Sequence, residues 1–224
     1  MGLFTNKVLD VPDAHLIEAM RLDRASAPSR FLAHALTGLL MADVVGAAAR
    51  LALPPLLSGH ETSFQVGITL KPIVVLSRIL FAATVVLFLI WFFDARVNAE
   101  SSDWEQRRAR AWTFWGWLIP GAVLWIPFQI MGDIWRAHLP PHRRGKVAWL
   151  PGIWWASWLL TGVLSWDQAA SSANYGLQLA HNWGSFFLFA VAASALMIII
   201  QAVSHQQRLG QTQRSESLAP TSAF

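Results

Sequence analysis

The sequence predicts an all-α fold: a polytopic helical membrane protein with four transmembrane helices plus a Trp/Pro-rich re-entrant or fifth spanning segment. Three observations carry this expectation. Of the 224 residues, 54% are hydrophobic and only 13% charged, whereas an average soluble domain is about one-quarter charged. The apolar residues gather in blocks close to the ~20 residues needed to cross roughly 30 Å of hydrocarbon, without the short period of a strand or a surface helix. Lysine and arginine flank those blocks, a placement that suits the anionic inner face of a membrane.

The first thirty residues carry Asp10, Asp13, Glu18 and Asp23, so no cleavable signal peptide is expected and the first membrane helix serves as its own insertion signal. Gly2 fails the myristoylation pattern because position 6 is Asn. From Asp10, a capping residue followed by Pro12 and by Leu16, Ile17 and Met20 on one face predicts a short amphipathic helix on the membrane surface. Residues 1–30 are thus expected to form a cytoplasmic amphipathic segment, 31–203 a helical membrane domain, and 204–224, rich in Gln, Ser and Thr, a disordered tail.

Five apolar blocks follow in order. Phe31 to Leu53 contains His34, Asp43 and Arg50 and ends at Pro54-Pro55. Pro72 to Phe93 has Arg78 as its one charge before Asp94 is reached only at the far end. Ala111 to Met131 is broken at Pro120-Gly121 and again at Pro127, where proline removes a backbone donor and crowds the preceding turn. Val147 to Trp166 carries no charge, and Trp183 to Val203 is apolar apart from serines, a glycine and Gln201 near its end.

The distribution of basic residues bears on topology. Four precede block one, four lie between blocks two and three, four between three and four, and two in the tail, against Lys71 alone between blocks one and two. Five crossings would place a cluster of four outside. If block three enters and returns, fourteen basic residues are cytoplasmic against one outside, with Arg50 and Arg78 within spans. Segment 111–131 is therefore expected to re-enter, with both termini cytoplasmic and its Ile119-Pro-Gly turn shielded by neighbouring helices.

Span two closes with Trp91-Phe-Phe-Asp-Ala-Arg96-Val-Asn98. It is followed by Trp112-Thr-Phe-Trp-Gly-Trp117-Leu-Ile-Pro120, Trp125-Ile-Pro127, and Asp133-Ile-Trp135-Arg136, with Trp154-Trp155 further on. This pattern over roughly residues 72–203 resembles the bacterial family called domain of unknown function 4328, with its Arg-x-Asn, Trp-x-x-Pro, Trp-x-Pro and Asp-x-Trp-Arg motifs. The resemblance implies about four or five hydrophobic segments, in the inner membrane of a bacterium, and no assigned activity or catalytic residues. Where the family usually carries a basic pair, this chain has Asp94 beside a single Arg96.

Two groups of residues are candidate sites. Charges inside spans are costly and mark function or interhelical pairing: Asp43, Arg50 and Arg78 form a candidate intramembrane charge cluster, with an Asp43–Arg78 pair expected to lock spans one and two. Trp117, Trp125, Gln129, Asp133, Trp135 and Arg136 form a candidate pocket or interface, in which the indoles could also serve as interfacial anchors. His138 and His142 flank Leu139-Pro-Pro, a spacing without helix geometry that predicts solvated loop histidines and no metal site. The chain has no cysteine, which excludes disulfides and thiolate ligands.

These features predict a non-enzymatic membrane scaffold or accessory subunit without a cofactor. Its partners would be the bilayer, anionic headgroups at the basic loops, and a membrane protein. Nucleic acid is not expected, since no domain exists to present the basic residues. Two other classes remain open at this stage. One is a small-solute or ion transporter or channel using the proline-broken segment as a discontinuous helix. The other is a membrane enzyme acting on a lipid-soluble substrate, with Asp43 or Asp133 as acid or base.

Overall fold

Long uninterrupted apolar blocks satisfy every internal backbone group most simply as helix, and in the computed structural model they do so. The structure describes the backbone of residues 14–57, 63–100, 104–140, 149–170 and 175–218, and within these the side chains of 31–54, 68, 70–100, 104–140, 149–165, 182–209 and 212. The helices are α1 (Ala14–Leu57), α2 (Ser63–Ala99), α3 (Trp112–Leu118), α4 (Ile126–His138), α5 (Trp149–Ala170) and α6 (Tyr175–Leu218), with a 3-10 turn at Ala122–Leu124. No strand occurs among the described residues.

Three stretches are long and apolar enough to cross a membrane: Phe31–Pro54 in α1, Leu70–Ala99 in α2 and Asn182–Leu209 in α6. The α3–α4 pair, bent by 113°, would make a fourth if it counted as one span. The blocks read from sequence thus reappear with extended ends. Helix α2 starts nine residues ahead of Pro72 and carries that proline inside it, at the cost of one backbone hydrogen bond.

Two expectations at the ends are corrected. The N-terminal segment does not form a separate surface helix, because α1 runs from Ala14 straight into the first span. Which face residues 14–30 present lies outside the described side chains. The tail expected to be disordered from 204 is helical as far as Leu218. Gln and Arg are good helix formers, and extending an existing helix adds a bond per residue without a new nucleation cost. Residues 219–224 lie outside the described chain.

The four long helices pack in the order α2, α1, α6, α5, as an open ring. Neighbours run antiparallel: Asp43 of α1 meets Thr84 of α2, and Gly184 at the start of α6 lies against Leu164 towards the end of α5. The gap between α2 and α5 is filled, in one half only, by α3 and α4. That half will be called the clamp end and the other the open end.

The core lies towards the clamp end. Ala33, Leu36 and Leu40 from α1 meet Phe88, Trp91 and Phe92 from α2, and Leu196, Ile199, Ile200 and Val203 from α6. Phe88 and Trp117 stand edge-to-face at 5.7 Å, and Trp117 meets Trp155 at 5.8 Å. Phe88 reaches Trp154 at 5.9 Å, so aromatic rings bridge α2 to α5 across the gap between them. Each such pair contributes about 0.5–1.5 kcal/mol beyond its burial.

The α3–α4 element folds back on itself through two glycines. Gly121 has φ +83°, a conformation that a side chain would strain. Gly116 lies so close to α4 that an added Cβ would meet Ile126 Cγ2 at 2.8 Å. The shielding expected for the Ile119-Pro120-Gly121 turn is not found: all three residues are exposed. Its polar groups are satisfied locally instead. Ile119 N–H donates to Trp115 O, Val123 N–H to Ile119 O, and Leu124 N–H to Gly121 O, while Trp155 Nε1 donates to Leu124 O at 2.9 Å. Part of the requirement that backbone groups be paired is thereby met without burial.

Candidate functional site

Three motif-bearing segments converge at the clamp end. Arg96 sits in the last turn of α2 and Asp133 with Arg136 on α4, while Arg107 and Arg108 belong to the segment leading into α3. The i,i+4 spacing of Arg96 and Glu100 lets them pair across one helical turn, at 2.9 Å. Arg96 also donates to the Arg108 carbonyl, and Glu100 takes a second ion pair from Arg110. The hydrogen bond from Arg110 holds the Glu100 carboxyl below its ordinary range, against a smaller upward push from burial.

Asp133 is the centre of this clamp. Its side chain is 2% exposed, with Arg107 Nε at 3.4 Å and Arg136 NH1 at 3.6 Å from Oδ1. Oδ2 accepts from the Arg107 backbone N–H at 3.2 Å. Beside it, Arg108 donates twice to Gln129 Oε1 at 3.2 Å, and the Arg136 guanidinium lies 5.9 Å above the Trp104 ring. Oδ2 thus holds the backbone N–H, while Oδ1, which has no hydrogen-bond partner of its own, faces two guanidiniums at ion-pair distance. The geometry fixes the chain entering α3 against the helix that leaves the turn.

The pocket-or-interface group predicted from sequence is therefore divided. Gln129, Asp133 and Arg136 join the clamp. Trp135 is buried in the core next to it, while Trp125 is exposed and meets Phe128. Trp117 points the other way, into the aromatic layer. Alternation around a helix separates Trp135 and Asp133 from neighbours that share only their sequence position.

The predicted charge cluster is brought together, with one correction. Asp43, Arg50 and Arg78 line one cavity between the long helices. The Asp43–Arg78 ion pair is absent among the described residues. Asp43 instead accepts a hydrogen bond from Thr84 Oγ1 at 2.6 Å. Sequence spacing placed Arg78 at the right depth, but Thr84, nearly two turns further along α2, faces Asp43 more directly.

His138 is a further correction. It is no solvated loop residue but the end of α4, with Nδ1 2.8 Å from Ile134 O and Nε2 3.2 Å from Gln207 Nε2 on α6. An amide nitrogen donates, so Nε2 accepts and Nδ1 carries the proton. His142 lies outside the described residues. No group of three or more metal-binding side chains occurs among the described residues.

Sequence reading missed Arg96, Glu100, Arg107 and Arg108 as partners, although the Arg96–Glu100 spacing was a usable signal. It also missed Thr84, for which no signal existed. No curated protein and no solved structure gives a match to the chain. The family model described as Domain of unknown function (DUF4328) matches residues 62–206, more than half of the sequence and the whole stretch that forms the clamp. The chain belongs to that family.

Proposed function

We propose that this is a multi-pass membrane protein that acts without catalysis, as a scaffold or accessory subunit that packs its α2 face against another membrane protein. In this reading α1, α2, α5 and α6 cross the bilayer and α3–α4 re-enters from the clamp end, which faces the cytoplasm. The 22 residues of α5 extend about 33 Å, enough to cross, and α5 runs beside α6. Asp133 on the returning helix touches Arg107 ahead of the entering one, which supports a segment that comes back to its starting side. The charge distribution supports the same orientation.

One observation carries the scaffold reading: α2 is flanked by α1 but lacks a helix along its other side beyond the clamp end. Val75, Leu76, Ile79 and Val86 are exposed there at helical spacing, and Ile90 and Phe93 continue the line beside the clamp, a ridge of the kind that packs into a partner helix. A photo-crosslinking amino acid at Val86, activated in cells, should give one discrete protein adduct. Adducts to lipid alone would remove the scaffold reading. For the topology, cysteines at Ala137 and Ser172 should differ: Ser172 labels from outside with an impermeant maleimide and Ala137 only after permeabilisation. The reverse pattern would make α3–α4 a crossing segment and favour transport.

A further inference from the structure

The open end contains a cavity that the scaffold reading does not use. It measures about 970 Å³ and is lined by all four long helices, with Arg50, Arg78, Ser165 and Asn182 among its polar groups. A second cavity of about 270 Å³ continues towards the clamp end, between Phe88, Trp117, Trp154 and Leu196. Asp43, Phe81, Trp158 and Phe189 line both. The two form a chamber that carries the charged and polar groups above an almost wholly apolar slot, with the Asp43–Thr84 hydrogen bond at their junction. Their sizes fall near the ~300–1,000 Å³ of small-molecule sites.

The charges define what fits. Arg78 lies eight residues inside the apolar stretch that begins at Leu70, about 12 Å from its end. Arg50 lies four residues from the end of its own stretch, on the facing helix. Among the described residues neither guanidinium makes an ion pair, and Asp43, the carboxylate of the cavity, is engaged by Thr84. Among the described lining residues, two cations against one anion leave the chamber net positive at a depth where a bare charge is costly. The slot beneath offers aromatic and aliphatic surface with almost no polar group other than Asp43 and Thr84.

We propose that these cavities form a binding site for an amphiphile with an anionic head and an apolar chain. The head sits between Arg50 and Arg78, and the chain lies in the slot lined by Phe88, Trp117 and Trp154. The ligand enters sideways from the membrane, through the gap between α2 and α5 that α3–α4 leaves open. Charge complementarity selects the head and the dry slot selects the chain. Arginine snorkelling alone would explain exposed cations, but not an aromatic-walled slot continuous with them.

The test uses the full chain in phosphatidylcholine nanodiscs, titrated with a lysophosphatidate whose acyl chain carries bromine. Tryptophan fluorescence should be quenched saturably by this probe, and at least tenfold less effectively by a lysophosphatidylcholine with the same brominated chain. Removing both charges (Arg50→Gln with Arg78→Gln) should weaken binding at least tenfold, while Arg208→Gln leaves it unchanged. Filling the slot by Val85→Trp should weaken it comparably. Equal binding of the two lipids, quenching that never saturates, or wild-type affinity in the double variant overturns the proposal. Displacement by inorganic phosphate at concentrations equal to the probe would make this a free-anion site and also overturn it. If the double variant does not purify monodisperse, Val85→Trp decides, and wild-type affinity there is the negative result.

Discussion

The clamp end and the open end are built from the same four long helices, yet one is packed and the other hollow. Towards the clamp end, α3 and α4 fill the gap between α2 and α5, and Phe92, Met131, Ile134 and Ile199 lose all contact with the surroundings. Towards the open end the gap has no such filler. Among the described residues of α2 there, Ser77 alone is buried, and two arginines face a cavity. The comparison teaches that a short, bent, proline-broken segment can decide which half of a bundle is core and which half is a site. A full-length fifth helix in the same gap would have closed both.

This contrast can be broken by substitution. The largest effect is expected for Phe92→Ala, which empties a fully buried position and should cost about 3–5 kcal/mol. The matching open-end change, Phe81→Ala, affects a residue that is 44% exposed and should move thermal unfolding in detergent far less. Comparable losses at both sites would show that the two halves are equally packed. Next is Asp133→Ala, which removes a backbone bond and two ion pairs and should cost about 1.5–3 kcal/mol. Asp133→Asn retains an acceptor for the Arg107 N–H and should recover part of that loss. Unfolding midpoints identical for the two variants would mean that the backbone bond contributes nothing.

Smaller effects sharpen the picture. Thr84→Val leaves Asp43 without its donor and should cost about 1 kcal/mol, measured by the same unfolding transition. The smallest is a pH effect at Glu100. Because Arg110 depresses its folded-state pKa, the stabilisation is complete above the unfolded value of about 4.3 and disappears as pH falls through the lower folded value. Both partners are solvated, so water screens the pair and the loss should be small. Glu100→Gln should remove this acid sensitivity, and an unchanged acid limb would locate it elsewhere.

How much of this was legible beforehand depended on range. The apolar blocks found the three candidate spans to within a few residues, because block length and bilayer thickness are both local facts. Pro120-Gly121 and Pro127 marked the break between α3 and α4 for the same reason. The extents of α1 and α6 are not legible in composition, because a formed helix extends cheaply through polar residues such as Gln and Arg. The six-residue group around Asp133 was recognised as chemistry but treated as one pocket, because sequence proximity does not give the direction of a side chain.

What the sequence determined by itself, then, was the helical class, the apolar stretches, the break in the third block and the presence of costly charges at Asp43, Arg50 and Arg78. Each follows from the preferences of a short run of residues for water, hydrocarbon or a given backbone angle. Only the tertiary structure decided that Thr84 and not Arg78 bonds Asp43. It also decided that Asp133 closes on Arg107, and that Trp117 faces a slot while Trp135 joins the core. Those outcomes depend on how helices dozens of residues apart rotate and settle against one another, and a one-turn difference in register changes every partner.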